Sequence, residues 1–340
     1  MKERLVRYES QRDIVPTQDM LFSQFMLDWL EVVKVQVEPN TYNTYKLVVE
    51  NLIAPYFKAT GVKLQKLQAI HIQKFYSKKL RDGVTANTVK HYHANIHKAL
   101  NYAVKMRMLP YNPASMVELP KKKKYVGKCY TEEQTKKLIA AVKDTNIETA
   151  ILFAVSYGLR RSEVLGIKWD AIDFNNKTVT IKHTVVGNGK HQVRADKTKN
   201  KSSFRTLPLI AGVEQHLLQI KAHQEALRNE FGNKYKGEGY VSTWDDGSLI
   251  QPDYLTKQFY MVCENIGLER IRFHDLRHSA ASMLLAEGFS LKEVSEFLGH
   301  CDIGTTANIY GHLQYQSKVN MGNRMNEMLL APEEPENESA

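Results

Sequence analysis

The sequence predicts a mainly α-helical protein with a small antiparallel β-sheet, divided into two domains. Three observations predict it. Apolar residues at helical spacing run from about residue 17 to residue 108 and resume from about residue 131. Strand-like runs are confined to one stretch, "KTVTIKHTVV", "KHQVRADK" and "SFRTLPL", with turn signals at "GNGK" and "KNKSS". A chain of 340 residues exceeds one ordinary core, and a proline- and lysine-rich break interrupts it.

Residues 1–16 are polar and irregular and read as a flexible arm or the remnant of a further domain. Residues 17–112 form the first domain. "TQDMLFSQFMLDWLEVV" opens it in a helical pattern. "TYNTYKLVVENLIAPYF" starts after Pro39-Asn40 and is expected to stop near Pro55, because proline lacks the N–H that a helix interior uses. "AIHIQKFYSKKLRDG" ends at Gly83. "TANTVKHYHANIHKALNYAVKMRM" is the longest helix of this half. Val89, Ile96, Leu100 and Ala103 mark its apolar face, and Asn87, Lys90, His91, Asn95, Lys98 and Lys105 its polar one.

The break, "LPYNPASMVELPKKKKYVGK", carries prolines, a lysine run and a glycine, and residues 113–128 read as a linker. Lys121, Lys122, Lys123 and Lys124 suit contact with a phosphate backbone. The second domain, residues 129–313, opens at "TEEQTKKLIAAVKD", where Thr131 and Gln134 make a capping box. "IETAILFAVSYG" is a buried helix ended by Gly158. After the strands come the helices "VEQHLLQIKAHQEALRNEFG", "DYLTKQFYMVCENIG", "HDLRHSAASMLLAEG" and "SLKEVSEFLG". Ser290 and Glu293 cap the last of these as a second box. Residues 314–340 are an amphipathic stretch, "YQSKVNMGNRMNEMLL", and an acidic tail.

Hydrophobic residues make up 43% of the chain, so it is globular rather than disordered. The formal net charge is +10, with Lys and Arg spread along the whole chain, which points to a polyanionic partner, nucleic acid first. The three cysteines, Cys129, Cys263 and Cys301, are far apart and suggest neither a disulfide framework nor a zinc cluster. The N-terminus has no apolar signal core, and no segment is apolar enough to span a bilayer. A reducing cytoplasm is expected.

The polar residues of the second domain collect at element ends, in "GLRRSE", "KTKNKSS", "HDLRH", "LGH" and "NIYGH". His274 and Arg277 share one face at the start of a helix. Cations are disfavoured at that positive end of the dipole unless an anion docks there. The arginine fork matches two oxygens of such an anion.

These five motifs, in this order and spacing, resemble those of the tyrosine site-specific recombinases, notably phage and conjugative-transposon integrases. The likeness is close over residues 129–312 and loose over the helical domain. It implies a two-domain DNA clamp, with a SAM-like helical core-binding bundle and a mixed α/β catalytic domain. It also implies site residues. Arg160 and Arg277 would clamp the scissile phosphate, with His274 and His300 adding hydrogen bonds. Tyr310 would be the nucleophile and His274 its base; Tyr315 is the nearby competitor. Lys199 would protonate the leaving oxygen, with Lys197 and Lys201 as alternatives on the same alternation. Glu163 would fix Arg160.

The implied product is a 3′-phosphotyrosine, formed without ATP, metal or other cofactor. The implied partner is double-stranded DNA at core recombination sites, contacted by some of Asn87, Lys90, His91, Asn95 and Lys98 together with the linker lysines. Four protomers are expected to assemble on DNA, the C-terminal helix docking in trans through Val319, Met321, Met325, Met328 and Leu329. Accessory DNA-bending or excision factors are possible partners. The implied function is integration and excision of a mobile element; type IB topoisomerase-like relaxation and a DNA-binding regulator are the alternatives. The helical domain and C-terminal helix favour recombination. Two superficial motifs are set aside. In "HYHANIH" only His93 and His97 share a face, with His93 on the apolar side. "GNGK" lacks the strand–loop–helix context of a phosphate loop.

Overall fold

The computed structural model describes residues 20–121, 127–188, 191–195, 204–299 and, toward the C-terminus, 322–323, 325–326 and 328–329. Packing divides the chain into two units, Met1–Tyr125 and Val126–Ala340.

Among its described residues, the first unit's elements are helices, with one isolated antiparallel bridge between Leu21 and Lys63. Helix α1 (Phe22–Lys34) buries Phe22, Phe25, Met26, Trp29, Leu30 and Val33, one stripe at helical spacing. Helix α2 (Pro39–Val48) begins on Pro39, whose missing N–H costs nothing in a first turn. The chain does not stop at Pro55. It passes through a π turn (Val49–Ile53) into α3 (Ala54–Thr60), so that Pro55 falls in a new first turn. The wider turn absorbs the proline that would break a regular helix. Helix α3 ends at Gly61 with φ of 63°, a left-handed cap.

Helices α4 (Ala69–Arg81) and α5 (Ala86–Lys105) complete the bundle. Val89, Ile96, Leu100 and Ala103 of α5 are all buried, joined by Tyr92 and Ala99. The core is aromatic. Phe57 meets Phe22 edge-on at 4.7 Å between centroids and Phe75 at 5.6 Å. A short 3₁₀ turn, Pro113–Met116, packs back on α5. Asn112 donates to the His97 carbonyl at 3.0 Å, and His97 pairs with Ser115 at 3.2 Å.

In the second unit, α6 (Glu132–Ala141) starts with the expected capping box. Gln134 N donates to Thr131 Oγ1 at 3.3 Å and Thr131 N to Gln134 Oε1 at 2.9 Å. Helix α7 (Glu148–Tyr157) is buried on most sides and stops at Gly158, and α8 (Arg161–Gly166) follows at once. The strands form two sheets rather than the one expected. Strands β1 (Ile172–Asp173), β2 (Thr178–Ile181) and β5 (Arg205–Pro208) make an antiparallel sheet in the order β1-β2-β5. Among the described residues, strands β3 (Thr184–Asn188) and β4 (His191–Ala195) pair only with each other. Where the two sheets part, the backbone at His183 and Thr184 lies so close over Gly166 that a Cβ there would overlap it.

Helix α9 (Ala211–Phe231) is held to the strand–loop layer by the buried Gln224. Its amide accepts from Trp169 Nε1 at 2.8 Å and donates to the Val241 carbonyl at 2.9 Å. Helices α10 (Pro252–Asn265), α11 (Asp275–Ala286) and α12 (Leu291–Leu298) close the unit. Helix α12 opens on the Ser290–Glu293 capping box and ends at Gly299 in the left-handed region.

Candidate active site

The "HDLRH" motif wraps the first turn of α11, with His274 at the N-cap. Asp275 is fully buried and supplies the negative charge that the helix N-terminus favours. Its carboxylate accepts from Arg272 N at 2.9 Å and from Arg272 Nη2 at 2.8 Å, and lies 3.8 Å from His278 Nε2. Ser279 Oγ donates to the Asp275 carbonyl and accepts from Tyr130 N at 2.9 Å, which fixes this turn to the start of the unit.

Arg277 is almost wholly buried, at 1% exposure. Its Nη1 donates to the Gly158 carbonyl at 2.8 Å, so "HDLRH" and "GLRRSE", distant in sequence, meet here. Gly158 has φ of 60°, and a Cβ on it would collide with Leu298. Arg160 follows the glycine as N-cap of α8, its side chain 30% exposed. Arg160 Nη1 donates to Glu163 Oε1 at 2.5 Å, Arg160 N to Glu163 Oε2 at 3.1 Å, and Arg160 Nη2 to the Gly299 carbonyl at 3.2 Å.

Glu163 is buried. Burial alone would raise its pKa, but the guanidinium charges of Arg205 and Arg160 and the bonds from Arg160 outweigh that, and the carboxyl is held below its ordinary value. His274 is an exposed residue whose ring meets that of His278 edge-on at 5.3 Å and lies within the charge field of Arg277 and Arg160. Withdrawal of the ring from water, then His278, Arg277 and Arg160, bring its pKa down to about 4. His274 is therefore neutral near pH 7, with a ring nitrogen able to accept a proton. An arriving phosphate would offset the two guanidinium charges and raise that basicity.

The structure thus brings Arg160, Glu163, His274 and Arg277 together. Lys199, His300 and Tyr310, with the alternatives Lys197, Lys201 and Tyr315, lie outside the described residues. Arg161 is tied elsewhere, donating to Thr256 Oγ1 at 2.7 Å and the Pro252 carbonyl at 3.2 Å, so it braces α8 against α10. His278 packs under Gly127, a structural placement.

In the first unit, Asn87, His91 and Lys98 are exposed on α5, and Lys90 is half-buried. Lys98 reaches Tyr45, its Nζ 5.1 Å from the ring centroid. Asn95 departs from the expected polar face. It is 4% exposed and donates to the His91 carbonyl at 2.8 Å, because it lies beside Tyr92 and Ile96 on the packed side of α5. Lys121 is exposed; Lys122, Lys123 and Lys124 lie outside the described residues. His93 is engaged with the Tyr76 hydroxyl at 3.1 Å. Among the described residues no cluster of three or more His, Cys, Asp or Glu could hold a metal ion, and no helix is long and apolar enough to cross a membrane.

Two family descriptions match the chain: "Phage integrase family" over residues 128–317, and "Phage integrase, N-terminal SAM-like domain" over residues 21–80. The chain belongs to the phage integrase family. Its first match spans the whole arginine–histidine constellation just described. A tyrosine recombinase XerC-like protein of Caldanaerobacter subterraneus subsp. tengcongensis is 30% identical over 334 residues, covering 93% of this chain and 85% of that one. The ICEBs1 integrase of Bacillus subtilis is 26% identical over 305 residues, covering 88% and 81%. The fold agrees with that of the Tn1549 transposon integrase in complex with transposon right end DNA, at a TM-score of 0.71 and 19% identity, covering 90% of this chain and 99% of that one. It also agrees with a lambda integrase dimer bound to a COC′ core site, at 0.63 and 14%, covering 91% and 81%. The chain is a tyrosine recombinase, an enzyme of DNA strand transfer.

Sequence reasoning passed over two residues of this integrase site. Asp275 is the buried anchor of the "HDLRH" turn. Arg205 reaches Glu163 from β5. A signal for Arg205 was present: strand alternation puts it on the same face as Leu207, and Leu207 is buried.

Proposed function

We propose that this integrase cuts and rejoins core-site DNA through a 3′-phosphotyrosine on Tyr310, in integration and excision of a mobile element. The observation that carries the reading is the joined pair of cations. Arg277 is fixed by the Gly158 carbonyl and Arg160 by Glu163, both within the electrostatic reach of a neutral His274. Two forks of fixed charge suit the non-bridging oxygens of a phosphodiester and strengthen as charge develops on them. His274 takes the phenolic proton of Tyr310 as its oxygen attacks phosphorus. Lys199 gives a proton to the departing 5′-oxygen, and His300 donates to a phosphate oxygen. The phosphotyrosine conserves the bond energy, and the free 5′-hydroxyl of another strand reverses the step.

Each unit contributes DNA contacts: Asn87, Lys90, His91, Lys98 and Lys121–Lys124 in the first, the phosphate site in the second. Four protomers act together, the C-terminal helix of each seated on its neighbour, in the bacterial cytoplasm. Solved structures of similar fold include a lambda integrase tetramer bound to a Holliday junction, which supports this reading.

The test is a nicked suicide duplex carrying the element's end sequence, incubated in EDTA with wild type and with Tyr310→Phe. A covalent protein–DNA band from wild type alone supports the reading. Bands from both would move the nucleophile, to Tyr315 first. Binding without a band from either would leave a DNA-binding regulator.

A further inference from the structure

Arg205 is a charged residue that the proposed chemistry leaves unused, and its side chain is only 8% exposed. Such a residue is almost never buried without a partner that needs it. Its position is set by the sheet, where Arg205 lies opposite Ile181. From there the guanidinium reaches two elements at once. Nη2 donates to Glu163 Oε2 at 3.3 Å, and Nε donates to the Phe297 carbonyl at 3.1 Å.

Arg160 spans the same two elements, binding Glu163 Oε1 and the Gly299 carbonyl. Two guanidinium groups therefore bridge one carboxylate to the last carbonyls of α12, the negative end of that helix. The chain continues from Gly299 directly to His300, and β5 follows the lysine-bearing stretch in sequence.

We propose that Arg205 is a positioning residue of the strand-transfer site: it shares Glu163 with Arg160 and locks the end of α12 to β5. The proposal rests on the strand-cleavage reading above. Its electrostatic content is specific. One carboxylate cannot neutralise two guanidinium groups, so Arg160 keeps positive charge toward a phosphate while still being held in place. Without Arg205, Glu163 would turn its full charge on Arg160 and weaken the clamp. The carboxylate would also lose one of the two cations that hold it ionised against burial.

The test uses the full chain, as wild type, Arg205→Met and Arg205→Lys, with the nicked duplex of the element's end as probe. Single-turnover cleavage is followed across pH, with binding and thermal unfolding measured alongside. Arg205→Met is expected to bind the duplex within about 3-fold of wild type and to cleave about 10- to 100-fold more slowly. Its acid limb should move to higher pH, because Glu163 then holds its proton to higher pH. Among the described residues, Arg160 and Arg205 are the charged groups that face Glu163; His274 also titrates on this limb, in every variant, so the readout is the difference from wild type. Arg205→Lys keeps the charge but not the fork. It should keep the wild-type acid limb and recover part of the rate.

Cleavage by Arg205→Met within about 2-fold of wild type would overturn the proposal. So would a loss with an unmoved acid limb that lysine does not recover, which would make Arg205 a folding residue only. If Arg205→Met does not fold, Arg205→Lys decides: a slower rate with an unmoved limb supports the proposal, and a wild-type rate or a shifted limb overturns it. Absence of a covalent band from wild type would instead remove the cleavage reading itself.

Discussion

Arg277 donates from its buried Nη1 to the carbonyl oxygen of Gly158 at 2.8 Å, and this bond joins the two arginine motifs of the site. Gly158 makes it possible in two ways. It takes φ of 60°, which ends α7 and turns its carbonyl toward α11, and it leaves room for Leu298. Gly158→Ala adds a left-handed alanine and a steric overlap. Unfolding free energy should fall by about 2–4 kcal/mol. Urea denaturation checks it, and a midpoint equal to wild type would show that the turn tolerates a side chain.

His274 gives the DNA-free protein an acid-sensitive stability. Its folded pKa, about 4, lies below the ordinary histidine value near 6.5. The unfolded chain therefore binds the proton more readily, and stability falls as pH drops from about 6.5 toward 4. His278, His216 and His93, also lowered by burial, add to the same slope. His274→Asn should flatten part of it. Thermal unfolding between pH 7 and pH 4.5 is the measurement, and an unchanged slope in the variant would rule out His274 as a contributor.

Two neighbours on α5 should behave differently although sequence reading grouped them. Lys98→Ala should weaken DNA binding on any sequence and reduce the slope of log affinity against log salt by about 0.9, one phosphate contact. Asn95→Ala should leave that slope alone and lower thermal stability instead, since the side chain is buried and bonded to the His91 carbonyl. Fluorescence anisotropy across a salt series separates the two, and a salt effect from Asn95→Ala would return it to the DNA face.

Met325, Met328 and Leu329 are helical and exposed, at 53%, 66% and 66%. Truncation near Gln316 should spare binding to a single site and weaken cooperative assembly on paired sites. Native gel shifts on one-site and two-site duplexes make the comparison. Unchanged assembly after truncation would count against docking in trans.

Local chemistry alone determined much of this protein. The apolar stripe of α5, the capping boxes at Thr131 and Ser290 and the stop at Gly158 are all one-turn decisions, and the structure has them where the spacing put them. The resemblance of the second domain's motif order to the integrases implied Arg160, Glu163, His274 and Arg277, and the fold brings these four together. Tertiary packing decided what no local pattern encodes. Pro55 is absorbed by a π turn, since continuing the packed helix outweighs one missing N–H. The strands divide into two sheets, with the chain between β2 and β3 lying close over Gly166. The rotation of α5 against its core takes Asn95 from the polar face. Strand alternation set the face of Arg205, but only the folded chain brings it to Glu163, a buried carboxylate distant in sequence.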